Sequence, residues 1–277
     1  SNPGYTAQDV ARLRAQYGLD QPLLTRYWNW LQAAASLDFG YSRTYSQPVL
    51  VIMVPALIQT GKLVGLSFLV FTALALTLGV AAALSKGSVL DRVINFLAFA
   101  GISVPVFFLA LMLIYLFAVR LGWLPASGMF TVGGDGSLSD SAKYYVLPVL
   151  TLTAAFAGRF TRFTRASMVE VLRMDYIRTA RAKGVPERGI VYRHALRNAL
   201  IPFVTSVGIM TGYLLGGAIV VEQVFAIPGL GRLILGAIAE RNYPLLQATI
   251  LLVTMGFVVV NFVVDLLYLA IDPRVRA

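Results

Sequence analysis

Enzymatic chemistry needs nucleophiles, bases or metal ligands held close together, and this chain of 277 residues offers few of them. It contains no cysteine and a single histidine, His194. No second histidine or paired carboxylates lie near His194 in sequence, so a hydrolytic or metal site is not expected there and a structural role fits better. No Gly-x4-Gly-Lys-Ser/Thr phosphate loop occurs; Gly133-Gly-Asp-Gly136 has the glycines without the lysine and reads as a flexible outer turn. Catalytic residues, metal ligands and cofactors are therefore assigned to none of its positions, and no nucleotide is expected to be hydrolysed on this polypeptide. The informative residues are its arginines and lysines, and the apolar segments that hold them.

Hydrophobic residues make up 58% of the chain and charged residues 13%. A soluble domain carries about 45–50% and about 25% respectively. Disorder, a disulfide scaffold and a thiolate metal site are excluded, leaving a polytopic membrane protein. The net charge of +10 raises a nucleic-acid partner as a possibility. No soluble basic domain is present to bind one, and the excess reads instead as a positive-inside signal favouring anionic inner-leaflet lipid.

A helix needs roughly 20 apolar residues to cross the hydrocarbon of a bilayer. Leu63–Leu84, Val93–Val119, Asn198–Val221 and Asn242–Val264 are free of charge and long enough. Tyr145–Gly158 is shorter and runs into Arg159, Arg162 and Arg165; alone it could be a re-entrant or interfacial piece. Charge decides the matter. Ten of the 23 Lys and Arg residues fall between Arg159 and Arg197, and Lys86 and Arg92 flank the first short loop. Both loops stay on the cytoplasmic side only if Tyr145–Gly158 crosses. Its arginines then snorkel, or lie on a helix continuing into the cytosol. Period-two alternation is absent, so a β-barrel is not expected.

The fold expected is all-α, a polytopic transmembrane helical bundle of five spans. Residues 1–50 form an extracytoplasmic amphipathic segment, with Tyr27, Trp28 and Trp30 at the membrane surface. Residues 51–272 form the transmembrane domain, with a cytoplasmic loop at 159–197, and residues 273–277 the cytoplasmic tail. A 50-residue outer segment needs a means of export, so a sixth, N-terminal span before Ser1 is expected.

Within the cytoplasmic loop, Asp175-Tyr-Ile-Arg-Thr-Ala-Arg-Ala-Lys-Gly184 reads as a short, complete helix. Asp175 suits its N-cap, Arg181 and Lys183 the negative end of its dipole, and Gly184 a left-handed C-terminal stop. Pro186 suits the first turn of a second helix, Glu187 to about Asn198, which leads into the next span. Two readings follow: a basic loop lying on lipid headgroups, or a docking lever for a cytoplasmic partner.

Three further features sit inside the spans. Gly208, Gly212 and Gly216 recur every fourth residue and form a smooth stripe, either for helix packing or facing a pore or partner. Pro105, with Gly101 near it, should kink its span and free a carbonyl, as a gate element would. Asp265 is the one carboxylate deep in an apolar run, and should face protein or water, in a structural pair or against a solute. Lys62 and Glu222 sit at outer ends of spans, where they are expected to snorkel.

Thr179-Ala-Arg-Ala-Lys-Gly184, followed by His194-Ala-Leu-Arg-Asn-Ala-Leu-Ile-Pro202, resembles the inner-membrane permease subunits of ABC importers, specifically the dipeptide, oligopeptide and nickel branch. That superfamily's loop runs Glu-Ala-Ala, three residues, Gly, then Ile-x-Leu-Pro. Here Arg178-Thr179-Ala180 occupies the Glu-Ala-Ala positions, and the interval from Gly184 to Pro202 is longer. The resemblance covers nearly the whole chain. Gly18-Leu-Asp-Gln-Pro22, Asp38-Phe-Gly-Tyr-Ser42, Val221-Glu-Gln-Val-Phe225 with Pro228-Gly-Leu-Gly231, and Asp265-Leu-Leu-Tyr268 with Asp272-Pro-Arg274 match in order.

The resemblance implies a non-catalytic permease in a bacterial inner membrane, working by alternating access with a second, usually different, permease subunit. Two ATP-binding subunits would hold ATP and magnesium (Mg) and pull on Asp175, Tyr176, Arg178, Thr179, Ala180, Arg181, Lys183 and Gly184. An extracytoplasmic binding protein would deliver the solute. Glu222, Phe225 and Pro228, in the last outer loop, would contact that protein or gate the outer mouth. Di- or oligopeptides are the first expectation for cargo, with nickel complexes, glutathione or oligosaccharides open. An ion-coupled carrier would need buried ion ligands at broken helices, for which the sequence offers only Asp265. A structural or assembly protein would need no coupling helix.

Overall fold

A computed structural model describes residues 20–130 and 138–271. The Gly133–Gly136 turn, the motif pieces at Gly18–Leu19 and Asp272–Arg274, and the 273–277 tail lie outside the described residues. Helix α1 (Leu23–Ala35) is amphipathic and leaves Leu23, Leu24, Tyr27 and Trp28 exposed. A two-residue hairpin follows, β1 (Tyr41–Ser42) paired antiparallel with β2 (Gln47–Pro48), with Tyr41 opposite Pro48. Every other regular element among the described residues is a helix.

Helix α2 (Val49–Leu84) runs for 36 residues, starting well before Leu63. Val49–Ile58 is apolar too, and Lys62 falls on an exposed face, so nothing stops the helix there. Met53, Ala56, Thr60, Leu63, Ser67, Phe71, Ala75 and Gly79 are buried along one stripe at three- and four-residue intervals, the spacing of a single helix face.

The expected span Val93–Val119 is not one rod. It is α3 (Val89–Ser103) and α4 (Val106–Leu113, continued by a π-helical stretch, Ile114–Arg120), meeting at 105°. Pro105 has no N–H to donate back, and it forces Val104 into an extended conformation (φ −87°, ψ 126°). The kink expected at this proline is a full break.

Helix α5 (Leu138–Val171) settles the Tyr145–Gly158 question in favour of a long helix that continues past the arginines. Its 34 residues would extend about 51 Å at 1.5 Å each, which excludes a short re-entrant piece. It is the hub, packed by α2 on one side and α3 on another, with α4 and α8 (Leu196–Val224) completing its surroundings. Phe71, Phe156, Phe160 and Phe203 form a ring column here, with Phe71–Phe160 and Phe160–Phe203 centroids 5.2 and 5.1 Å apart.

After α5 come α6 (Asp175–Ala182), the single turn α7 (Glu187–Gly189) and a π-helical stretch (Ile190–Ala195) that runs straight into α8. Helix α8 bends by 57° between Gly208 and Gly212. The short outer helix α9 (Leu230–Ala239) and the final α10 (Tyr243–Ile271) close the bundle. Val49–Leu84 and Tyr243–Leu266 are each long and apolar enough to cross a bilayer, and the two bent pairs qualify when each is taken as one span. Four of the five expected spans thus correspond to a helix or bent pair of that length and apolarity among the described residues, and the fifth, Tyr145–Gly158, lies within the long but less apolar α5.

Candidate coupling and gating sites

Helix α6 buries one side chain, Ile177, in the bundle. Ile177 is fully buried among Met168 and Val171 of α5, Val80 and Ala83 of α2, and Ile190 and Val191. Asp175, Tyr176, Arg178, Thr179, Arg181 and Lys183 are exposed, and Ala180 is half-buried. A strongly polar face is thus presented outward from an apolar anchor. Asn198 Nδ2 donates to the Tyr176 hydroxyl at 2.8 Å, tying the outward face to the foot of α8.

The stop at Gly184 is as expected and can be described bond by bond. Gly184 has φ +78°, the Gly184 N–H donates to the Arg181 carbonyl at 2.9 Å, and the Val185 N–H to the Ala180 carbonyl at 3.2 Å. These are the two reversed bonds of a Schellman ending. The N-terminus differs from expectation. Met174 takes the N-cap position, and Asp175 is the first helical residue with no capping bond. An extended Met174 (ψ 151°) moves the boundary one residue back, so Asp175 acts only through its charge in the first turn. Its carboxylate lies 3.4 Å from Arg178 Nη1.

Across the elbow, Arg181 Nε donates to Glu187 Oε1 at 2.7 Å. This hydrogen bond holds the Glu187 carboxyl below its usual range and pushes the Arg181 guanidinium still higher. The bond links α6 to α7 over the Gly184–Pro186 turn. Pro186 occupies the N-cap of α7, just ahead of its first turn.

At the C-terminal end of α8, Glu222 does not snorkel. It is fully buried, and its carboxylate accepts from Thr60 Oγ1 at 2.5 Å, Gly231 N at 2.8 Å and Arg232 N at 3.2 Å. Thr60 Oγ1 in turn accepts from Leu230 N at 2.8 Å. Together they cap the first turn of α9 from outside its own sequence, which favours a carboxylate at that dipole end. The two glycines of Pro228-Gly-Leu-Gly231 make room: a Cβ at Gly229 would lie 2.3 Å from Glu222 Cδ, and one at Gly231 would lie 2.6 Å from Ile219 Cα. Phe225 is buried and its carbonyl accepts from Gly128 N at 3.0 Å, while Pro228 lines an outer groove of about 680 Å³ with Tyr45, Gln223 and Arg232. Glu222 and Phe225 therefore shape this loop from within.

Replacing Glu222 with glutamine removes an acceptor and sets an amide N–H₂ against backbone donors. Leaving such a group unsatisfied costs about 1–3 kcal/mol. The expected result is a lowered melting temperature and new proteolytic cutting between Ala226 and Gly231. Unaltered protease resistance would show that the carboxylate does not hold the loop.

The remaining candidates separate. A Cβ at Gly101 would lie 2.7 Å from the Ala154 carbonyl, so this glycine serves close packing of α3 on α5. Gly208 and Gly212 face α10, where a Cβ would meet Asn261 Oδ1 at 3.1 Å and Phe257 Cε2 at 3.3 Å. Gly216 meets nothing within 4 Å. The stripe is thus two packing glycines and one open one. Asp265 is exposed on α10, and among the described residues it makes no ion pair or hydrogen bond within the chain. It lies on an exposed face of α10. The His194 carbonyl accepts from Asn198 Nδ2 at 3.0 Å, and among the described residues no group of three metal-ligating side chains occurs.

One pair was not foreseen as a pair. Asp91 is buried, and Arg165 grips it with Nε and Nη2 at 2.6 and 2.7 Å. The Ser88-x-x-Asp91 capping pattern at the head of α3 was legible; Arg165 read only as one of three arginines following a span.

A family model described as "Binding-protein-dependent transport system inner membrane component" matches residues 75–277. The glutathione transport system permease protein GsiC of Salmonella choleraesuis (strain SC-B67) is 45% identical over 276 residues, covering 100% of this chain and 87% of its own. That of Escherichia coli (strain K12) gives the same identity and coverage. A chain from the inward-facing MetNI methionine ABC transporter (CY5 native crystal form) matches with a TM-score of 0.64 at 20% identity, covering 80% of this chain and 97% of that one. At that identity the likeness is one of fold.

Proposed function

This chain belongs to the family of binding-protein-dependent transport system inner membrane components, and on that premise we propose that it forms half of an alternating-access pathway importing glutathione or a closely similar short peptide. It is an integral membrane protein and a permease subunit of an ABC importer. The observation that carries the coupling reading is helix α6: a polar face turned outward, one buried anchor at Ile177, and a stop fixed by Gly184. A docking partner that moved this face would move α5 and the foot of α8 with it.

In this reading two ATP-binding subunits, carrying ATP and magnesium, bear on Tyr176, Arg178, Thr179 and Lys183 from the cytoplasm. A second, different permease completes the pathway, and Asp265 and the exposed face of α10 are turned toward it or toward lipid. An extracytoplasmic binding protein delivers cargo to the side of α1, the hairpin and α9. The membrane is the bacterial inner membrane. Glutathione stands first because the relatives named above carry that name, and di- and oligopeptides stand second on the motif resemblance.

Uptake into vesicles holding the full complex tests both parts. ATP-dependent accumulation of labelled glutathione, undiminished by excess dipeptide, is expected. Dipeptide uptake that glutathione fails to compete would move the cargo to the second reading. Uptake persisting without the ATP-binding subunits would replace an ATP-driven importer with an ion-coupled carrier.

A further inference from the structure

We propose that Asp91 and Arg165 form a fixed joint that fastens α3 to α5, so that both helices travel with α6 as one lever ending at the Pro105 break. The inference rests on the reading of α6 as the element that partner subunits move.

The joint is built for fixed geometry. Asp91 is 4% exposed, and its two oxygens accept from Arg165 Nε and Nη2, from Gly87 N at 2.9 Å and from Asn95 Nδ2 at 2.7 Å. A two-pronged guanidinium–carboxylate contact supported by further donors has one arrangement, whereas an exposed pair has many. Stability alone does not call for it, because a buried ion pair is often no more stabilising than apolar residues of the same volume. What the charged pair adds is a defined register.

The rest of the α3–α5 seam keeps that register. Ala98 lies against Gly158, and Gly101 against Ala154, so the two helices run antiparallel with nearly constant offset from the Asp91–Arg165 pair outward. A Cβ at Gly158 would lie 2.2 Å from the Ala98 carbonyl oxygen, which leaves no slack for sliding. One turn beyond Arg165, Met168 belongs to the same buried apolar cluster as Ile177, the anchor of α6, together with Ile190 and Val191. Force applied to α6 is therefore shared with α5 through this cluster, and with α3 through the ion pair. At the far end of α3 the chain breaks at Val104–Pro105 and turns by 105° into α4. The lever is clamped at its inner end and jointed at its outer one. Asp91 and Arg165 touch neither cargo nor nucleotide; they are positioning residues.

The chain has no cysteine, so an introduced pair is uniquely addressable within it. Asp91→Cys with Arg165→Cys is placed in the full complex in vesicles, and uptake per ATP hydrolysed is measured before and after joining the thiols with a short bifunctional reagent. Unjoined, the ratio is expected to fall about tenfold, since the paired charges are gone. Joined, it should return to within about threefold of wild type, because a covalent tether replaces the clamp. An unjoined variant that couples like wild type would overturn the proposal, as would a tether that leaves uptake low. Arg165→Lys is the milder second variant: it keeps the charge and loses the fork. It should co-purify with its partners and hydrolyse ATP while losing several-fold in uptake per ATP; an unchanged ratio would also overturn the joint. Wild-type vesicles lacking ATP-driven uptake would instead overturn the importer reading and the joint with it.

Discussion

Gly184→Val is expected to uncouple ATP hydrolysis from uptake by more than tenfold, the change in ratio that about 1.4 kcal/mol or more would produce. At φ +78° a β-branched residue is held in the left-handed region, at roughly 1–2 kcal/mol for that residue before packing is counted. No atom lies within 4 Å of the position a Cβ would take, so the penalty is one of backbone conformation rather than collision. The chain can relieve it only by opening the turn. Doing so breaks the Gly184–Arg181 and Val185–Ala180 bonds and separates Arg181 from Glu187. The α6 helix then keeps its Ile177 anchor but loses its fixed angle to α7. Gly184→Asn, which tolerates the left-handed region, should retain most of the coupling. Uptake per ATP in the full complex checks both; full coupling in the valine variant would remove the lever.

The second large effect concerns assembly. Gly158→Ala adds one methyl group that would sit 2.2 Å from the Ala98 carbonyl oxygen and 3.2 Å from Ala98 Cα, both backbone atoms with nowhere to go. Helices α3 and α5 must separate, which also pulls on Asp91 and Arg165. Overpacking of this kind costs about 1–3 kcal/mol or more. Gly216→Ala is the same chemical change in open space and should be neutral, or stabilising by up to about 1 kcal/mol, as Gly→Ala in a helix generally is. Melting temperature and yield of assembled complex in detergent should therefore fall sharply for the first and hold for the second. Equal behaviour of the two would contradict the close α3–α5 seam.

The features read correctly from sequence are those encoded within a few residues. Gly184 stops a helix because its own backbone must be left-handed, and Pro105 breaks one because it lacks its own N–H. Charge placement around Arg159–Arg197 pointed to a helix running on past its arginines, and α5 does so as far as Val171. The misread features depend on distant partners. Glu222 looked like a snorkelling end residue because Thr60, its closest partner, lies 162 positions away. Arg165 read as a snorkelling arginine or one on a helix continuing past the span, with no partner in view, because Asp91 is 74 positions away. Gly208 and Gly216 are alike in sequence, and only the presence of α10 beside one of them separates packing from open surface. Asp265 was left open between a structural pair and a solute contact, and its exposure on α10 is decided by how that helix packs, which no short window encodes. Local stereochemistry is written in short windows; the pairing of helices is not.

The central claim is that the outward face of α6 is a handle gripped by a nucleotide-hydrolysing subunit. A single cysteine at Thr179, in this cysteine-free chain, can carry a photoactivatable cross-linker in the intact complex in its membrane. The account predicts a covalent adduct to an ATP-binding subunit whose yield changes between the nucleotide-free and ATP-bound states. Adducts formed with phospholipid alone, the same in both states, would contradict it.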